Sequence, residues 1–408
     1  MHEDICTIPG GHVTSVLGFL AGAVRAGIRE DVDKLDLGIL YSERPCAAAA
    51  VFTSNRVKAA PIVVCQKHLA DGRAQAVVAN SGCANACTGE DGLRDAREMA
   101  ELTAAKLGLR PEDVVVASTG VIGCPMPMER VRPAIRDVAV SADGGGALAQ
   151  AIMTTDTVPK QIAVRFAWHQ PAEGRQYTIG GIAKGAGMIH PQMATMLCFL
   201  ATDAPAESGF LGAALRQAVD ASFNMITIDG DTSTNDMVVV LANGAAGGEP
   251  LAEGHPAAGL FLAALTQVCA HLAQAICRDG EGATKFIQVR VEGAASDADA
   301  RRAAREIVRS LAVKTAVYGS DPNWGRILAA VGNSGADMVE ESTTLYLGEC
   351  CLYRGGRPLD YDESAAHAEL ARPEVDIRVD LGLGDGAATA WGCDIPDEYV
   401  RLNSAYRT

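Results

Sequence analysis

Residues 184–200, KGAGMIHPQMATMLCFL, combine a glycine-rich start, a proline, and a small residue before a threonine that opens an apolar run. A threonine hydroxyl is a weak nucleophile unless a base lies beside it, and the nearest candidate base is the residue's own α-amine. That amine is free only if the chain is cut between Ala194 and Thr195. The stretch therefore predicts a precursor that cleaves itself and exposes Thr195 as an N-terminal nucleophile.

The composition narrows the class of protein. Of the 408 residues, 48% are apolar and 21% are charged, as in an ordinary globular protein. The formal net charge of −15 argues against a nucleic acid or an anionic membrane as partner, because both require a basic footprint. The 12 cysteines have neither the density of a disulfide scaffold nor the spacing of a zinc site. We therefore expect reduced thiols, no metal, no membrane span and a cytoplasmic location.

The residue pattern alternates short β-rich runs with amphipathic helices, which predicts a mixed α/β protein. Runs of β-branched residues bounded by turn formers predict strands at 74–80, 113–118, 237–242, 286–292 and 376–381. Apolar residues at helical spacing predict helices at 93–107, 257–277 and 301–311. Small residues and glycines predict loops at 143–146 and 244–259.

Several further strings occur in order along the chain. They are AAAAVFTSNRVKAAP (47–61), NSGCANACTG (80–89), ASTGVIG (117–123), IMTTDT (152–157), TIDGDTSTND (227–236), DGEGATKF (279–286) and VKTAVYGSDPNWGR (313–326). Together with the stretch around Thr195, they resemble the ornithine acetyltransferase family, also called the glutamate N-acetyltransferase family. Because the matches run through the whole chain, an accidental likeness is very improbable.

The resemblance implies an architecture and a processing event. Family members form a layered α/β sandwich, with mixed β-sheets between helices, of the kind found in some self-processing amidohydrolases. They are cut before the threonine, which here would give an alpha chain, residues 1–194, and a beta chain, residues 195–408. The two chains stay together, and two of each form a heterotetramer.

The resemblance also implies the roles of individual residues. Thr195 is the nucleophile, and Thr119 with Gly120 in ASTGVIG stabilises the oxyanion, for which a hydroxyl and a glycine N–H are suitable donors. The substrate contacts carried over by motif are Thr154, Lys184, Glu281, Asn403 and Thr408. For the first of these, Thr155 and Thr157 are adjacent alternatives. From charge alone, Lys184 suits a substrate carboxylate and Glu281 suits an ammonium group.

The implied reaction is a ping-pong acetyl transfer. Thr195 takes the acetyl group from N2-acetyl-L-ornithine, and L-glutamate takes it from acetyl-Thr195, which closes the acetyl cycle of arginine biosynthesis. Some members also use acetyl-CoA as the donor. The mechanism needs no metal and no bound organic cofactor, so the expected partners are small-molecule substrates and the protein's own cleaved chains.

Three alternatives stay open at this stage. The chain could be a related N-terminal-nucleophile amidohydrolase or aminopeptidase, in which water is the acceptor. It could be a secondary-metabolism acyltransferase with another acceptor, since Cys83, Gln192 and Met225 depart from the family's usual strings. It could also be an unprocessed binding protein without catalytic activity.

Residues 229–240 resemble the start of a calcium-binding loop. Their composition argues against calcium binding, because Thr234 replaces the required glycine and Val240 replaces the required glutamate.

Overall fold

The computed structural model describes residues 4–29, 33–169, 174–190 and 196–405. Within those ranges the strands, in chain order, are β1 Ile5–Thr7, β2 Phe19–Val24, β3 Leu37–Phe52, β4 Arg73–Asn80, β5 Val114–Ser118, β6 Lys160–His169, β7 Gly174–Lys184, β8 Leu197–Thr202, β9 Ile226–Thr227, β10 Met237–Ala242, β11 Phe286–Ala294, β12 Thr344–Leu347, β13 Cys350–Arg354, β14 Arg357–Pro358, β15 Glu374–Asp380 and β16 Gly386–Cys393.

The α-helices in the same ranges are α1 Ala60–His68, α2 Gly89–Leu107, α3 Met128–Asp137, α4 Gly145–Ala151, α5 Ser208–Asp220, α6 Ala258–Arg278, α7 Asp297–Arg309, α8 Leu311–Tyr318, α9 Trp324–Asn333, α10 Glu363–Leu370 and α11 Asp397–Ala405.

The first sheet contains β1–β8 and β10, in the order β1-β6-β7-β8-β10-β3-β4-β5, with β2 paired to β3. Its central strands β8 and β10 run parallel, with Met237 level with Leu197. Every residue of both strands is buried, as expected for continuous apolar runs covered on both faces. Alternate side chains of β10 enter two different cores: one contains residues of α1–α4, and the other contains residues of α5 and α6.

The second sheet is smaller and has the order β14-β13-β12-β15-β11-β16-β9. Burial alternates along β15, so one face of the sheet is covered and the other faces solvent. Helix α7 packs on the covered face of β11 and β16, and its buried residues join the same core as α5 and α6. The fold is therefore the mixed α/β protein that the residue pattern predicts, in the layered arrangement of sheets and helices that the resemblance implies.

The five predicted strands are present as β4, β5, β10, β11 and β15, with bounds within two residues of those expected. The predicted helix at 257–277 is α6, which packs on β6 and β7. Its length and hydropathy would allow it to cross a membrane, but half of its most apolar stretch is buried inside the protein. Several other bounds were wrong. Residues 258 and 259, the end of the predicted loop at 244–259, already belong to α6. Residues 145 and 146 begin α4 instead of lying in a loop.

Another error concerns the predicted helix at 301–311, which also starts four residues earlier, at Asp297. Helix α7 ends at Arg309, and Ser310 starts a separate helix by accepting a hydrogen bond from the Val313 N–H. A serine that caps a new helix is a strong local signal, and it outweighs the continuing apolar spacing. The third predicted helix, at 93–107, starts four residues earlier, at Gly89 in α2.

Candidate active site

The structure brings six of the predicted site residues together around one cavity of about 140 Å³. They come from five separate segments and are Thr119, Gly120, Thr154, Lys184, Glu281 and Asn403. The other three predicted residues, Ala194, Thr195 and Thr408, lie outside the described residues. Residues 119 and 120 follow β5, Lys184 ends β7, Glu281 follows α6, and Asn403 belongs to α11. Four of these six residues thus lie at or just after the end of a strand or helix.

The turn after β5 is held rigidly. The Thr119 N–H donates to the Asn80 carbonyl at 3.0 Å. Gly120 has φ +128°, and a Cβ there would lie 2.4 Å from the backbone carbon of Gly82, so no other residue fits without moving the chain. The Asn235 amide donates to the carbonyls of Ser118 and Ala84 at 2.8 and 2.6 Å, which ties the turn to the segment before β10. This arrangement fixes the backbone of the turn that carries the hydroxyl and N–H expected to bind an oxyanion.

Lys184 is the cation of the cavity. The residue is 5% exposed, and burial lowers the pKa of its ammonium group, although the nearby Asp156 carboxylate opposes that shift. Among the residues that the structure describes, none accepts a hydrogen bond from this ammonium group or pairs with it. Its donors therefore remain available to a ligand, and a carboxylate is the group that they suit best.

Glu281 is the carboxylate of the cavity. Its oxygen Oε2 accepts a hydrogen bond from the Asn403 side-chain amide at 2.8 Å, and its backbone N–H donates to the Ala186 carbonyl at 2.8 Å. Gly187 makes this approach feasible, because a Cβ there would lie 2.5 Å from the Glu281 carboxyl group. A cation and a carboxylate thus line the same small cavity, as binding of an amino acid requires.

The three adjacent threonines at 154, 155 and 157 differ in position. Thr154 and Thr155 both line the cavity, so geometry leaves these two open. Thr157 is engaged elsewhere, since its N–H and its hydroxyl both donate to the Asp279 carboxylate.

Asp229 is a functional candidate that the sequence pattern did not reveal. It belongs to the segment that resembles a calcium loop, but its carboxylate accepts the N–H groups of Met188 and Ile189 at 2.5 and 2.8 Å. The hydroxyl of Tyr399, which also lines the cavity, donates to it at 3.2 Å. Met188 has φ +55°, an uncommon conformation for a residue other than glycine. Asp229 thus fixes the bend that precedes residues 191–195.

His190 and Cys198 do not have the properties of a catalytic pair. Burial lowers the pKa of His190 to about 4, with further lowering by Arg305 and Arg309, so its ring is neutral at pH 7. Burial also raises the pKa of the Cys198 thiol well above its ordinary value, and the side chain lies in the core within β8. A neutral thiol in the core is unreactive.

Curated relatives match this chain over almost its whole length. The arginine biosynthesis bifunctional protein ArgJ of Symbiobacterium thermophilum is 54% identical over 401 residues, which cover 98% of this chain and 99% of that protein. The ArgJ protein of Dehalococcoides mccartyi is 49% identical over 409 residues, with 100% of both chains covered.

Among solved structures, a chain of the ornithine acetyltransferase of Mycobacterium tuberculosis complexed with ornithine is 40% identical. The match covers 46% of this chain and 98% of that one, with a TM-score of 0.42. The family model for ArgJ matches residues 20–408. This chain belongs to the ArgJ family.

Proposed function

We propose that this ArgJ-family acyltransferase moves an acetyl group from N2-acetyl-L-ornithine to L-glutamate through an acetyl ester on Thr195. The observation that carries the proposal is the joint lining of one cavity by the turn after β5, by a lysine without a partner among the described residues, and by a carboxylate. In addition, Met196, the residue bonded to Thr195, lines a small inner cavity with Thr119 and Lys184. The name of the curated relatives supports a role in arginine biosynthesis.

The first step is processing of the precursor. The Thr195 hydroxyl attacks the Ala194 carbonyl carbon, and the acyl group moves from nitrogen to oxygen, which frees the threonine amine and leaves an ester. Water then hydrolyses that ester, which releases the Ala194 carboxylate and restores the Thr195 hydroxyl. An α-amine has an ordinary pKa near ~8, so at neutral pH a useful fraction is unprotonated and able to accept the hydroxyl proton.

Transfer then proceeds in two half-reactions. In the first, Thr195 Oγ attacks the acetyl carbonyl while its amine takes the hydroxyl proton, and Thr119 and Gly120 donate hydrogen bonds to the oxyanion. The amine then protonates the departing nitrogen, which releases ornithine and leaves acetyl-Thr195. In the second, the glutamate amine attacks that ester and the threonine oxygen regains its proton.

Substrate orientation follows from the two charged groups. The Lys184 ammonium binds the α-carboxylate, and Glu281, held by Asn403, binds the ammonium group of ornithine or of its acetylated form. Thr154 lies beside them. Thr408 is proposed as a further substrate contact through the family resemblance alone.

The two fragments would remain one folded unit. Strands β3 and β7 of residues 1–194 pair with β10 and β8 of residues 195–408 inside the same sheet. Separation would expose these buried strand edges. We further propose the heterotetramer of two alpha and two beta chains, a cytoplasmic location, and a reaction without metal or organic cofactor. Acetyl-CoA is proposed only as a second acetyl donor.

The test is whether consumption of N2-acetylornithine by the purified protein depends on glutamate. We expect N-acetylglutamate to appear in step with ornithine, and no turnover beyond one acetyl group per site without glutamate. Steady release of acetate without glutamate would contradict the proposal and favour an amidohydrolase. Thr195→Ala serves as the control, because it should remain a single chain and transfer nothing.

A further inference from the structure

A second set of charged side chains lies directly beside the cavity. Lys160, the first residue of β6, donates to Asp156 at 2.6 Å and to Asp279 at 2.5 Å. The side chains of Lys160, Asp156 and Asp279 are 1%, 0% and 7% exposed, respectively. We call these three residues the Lys160 cluster. A closed cluster of buried charges is costly to build, so its position next to the site calls for an explanation.

Asp156 connects this cluster to the cavity wall. Its oxygen Oδ1 accepts the N–H of Gly185, the residue after Lys184, at 2.7 Å. Its other oxygen accepts the N–H of Thr154 at 3.0 Å. One buried carboxylate thus binds the chain at two cavity-lining segments that are far apart in sequence. Asp279, in turn, lies two residues before Glu281.

Four charged or titratable groups face the Lys184 ammonium, one from each neighbouring segment. They are Asp156, Lys160, Asp236 from the segment before β10, and Glu281. Burial raises the pKa of Asp236 well above its ordinary value, so this carboxyl group binds a proton more readily than an exposed one. Burial also acts to raise the pKa of Asp156, but the charges of Lys184 and Lys160 outweigh it and hold the pKa at about 2. Asp156 therefore stays negatively charged beside Lys184 at neutral pH.

Asp156 places its negative charge near Lys184 without accepting a hydrogen bond from the Lys184 ammonium group. Asp156 accepts hydrogen bonds from Lys160 and from two backbone N–H groups, and within the described part of the chain the Lys184 ammonium has no direct partner. Neutralisation at a distance differs from an ion pair, because an ion pair would have to be broken before a ligand could bind.

We propose that Asp156 is a positioning residue, a counter-ion that keeps Lys184 charged and directed at the substrate carboxylate while leaving its donors free. The inference deepens the proposed function and rests on its assignment of Lys184 to a carboxylate. Lys160 and Asp279 hold Asp156 in place, and Asp156 also fixes the segment that carries Thr154.

The test measures glutarate binding against pH by calorimetry on the processed protein. Glutarate has two carboxylates and no amine, so above about pH 6 its own charge is constant. We expect wild-type affinity to fall as Lys184 loses its proton. In Asp156→Asn we expect the midpoint of that fall to move down by about one pH unit or more, because an adjacent opposite charge is lost. An unmoved midpoint, or no glutarate binding by the wild type, would overturn the inference.

Asp279→Asn is the matched control. It removes a carboxylate of similar burial from the same Lys160 cluster, but Asp279 is not among the charges that face Lys184. Its midpoint should match the wild type, and an equal shift in both variants would overturn the specific role of Asp156. Binding is read without acetyl transfer, so a protein that shows these shifts but transfers no acetyl group would contradict only the proposed function.

A second variant covers the case in which Asp156→Asn does not fold. If Asp156→Asn is unstable because Lys184 has lost its counter-ion, adding Lys184→Met should restore stability. The double variant should then fold and have a higher urea midpoint than Asp156→Asn alone. The same addition of Lys184→Met should not rescue Asp279→Asn. Failure to rescue Asp156→Asn would show that Asp156 acts only through its backbone contacts, and the proposal would be withdrawn.

Discussion

Two buried lysines at the ends of neighbouring strands use the same side chain in opposite ways. Lys160 begins β6 and Lys184 ends β7, and the ladder places Lys160 opposite Ala183, the residue before Lys184. Lys160 has ion pairs with two carboxylates, whereas Lys184 has no direct partner among the described residues and lines the cavity. The two side chains are almost equally buried, but the ammonium group of Lys160 is fully paired, whereas that of Lys184 can bind a ligand.

The difference shows how this fold separates stability from binding. A buried charge with every donor engaged adds little net stability, but removing one of its partners leaves an uncompensated buried charge and is strongly destabilising. A buried charge with free donors is held at a cost, because desolvation lowers the pKa of its ammonium group. We expect substitutions in the Lys160 cluster to reduce stability first, and substitutions around the cavity to reduce activity first.

The largest expected effect is on stability. Lys160→Met leaves Asp156 and Asp279 buried without their shared cation, and should lower the free energy of unfolding by about 3–5 kcal/mol. The measurement is urea unfolding followed by circular dichroism, with Lys184→Met as the matched control. If both variants lost the same amount, the contrast between the two lysines would be wrong.

The next largest effect is on catalysis. Thr119→Val keeps the shape of the side chain and removes the hydroxyl that should donate to the oxyanion, so kcat for acetyl transfer should fall by about 10²–10³-fold. The urea midpoint should change little, since Thr119 is only half-buried and its described backbone bond is retained. A variant with wild-type kcat would remove Thr119 from the oxyanion turn.

A smaller effect is expected for binding. Lys184→Met removes a charge-assisted hydrogen bond to the substrate carboxylate, which corresponds to a roughly 10- to 100-fold loss in kcat/KM. Processing into fragments should continue, as intact mass would show. Equal loss of processing and transfer would instead assign Lys184 to the cleavage step.

The smallest effect concerns Asp236 and depends on pH. Its folded-state pKa is raised by burial, so between its unfolded and folded pKa values the native state binds the extra proton and stability falls as pH rises. Asparagine does not ionise, so Asp236→Asn avoids this loss and should melt a few degrees above the wild type at pH 8. The difference in melting temperature should close near pH 4. The exposed Asp137→Asn provides the control, and a constant gap at all pH values would contradict the account.

The sequence predicted the parts of the site that motifs carry, but not the contacts that hold them. Thr119, Gly120, Lys184 and Glu281 stand in strings typical of the family, and all four line the cavity. Their roles stay predictions. The roles of Asp156 and Asn235 were not predicted, because their partners lie 29 and 117 residues away along the chain. Periodicity gives the elements; it carries no information about which distant backbone groups a buried polar side chain will meet.

Periodicity also missed the point at which the predicted helix at 301–311 divides into two helices. The apolar spacing at 301–311 runs through Ser310, but the cap that divides α7 from α8 depends on one hydroxyl and one N–H. Strand β10, by contrast, was predicted to the residue, because an unbroken apolar run flanked by polar residues has one common structural outcome.

Intact mass spectrometry under denaturing conditions tests the central claim most directly, with the protein incubated with N2-acetylornithine in the absence of glutamate. The account predicts two species, residues 1–194 and 195–408, with the second heavier by one acetyl group that disappears when glutamate is added. A single full-length species that still transfers acetyl groups, or an acetyl group that glutamate does not remove, would contradict transfer through Thr195.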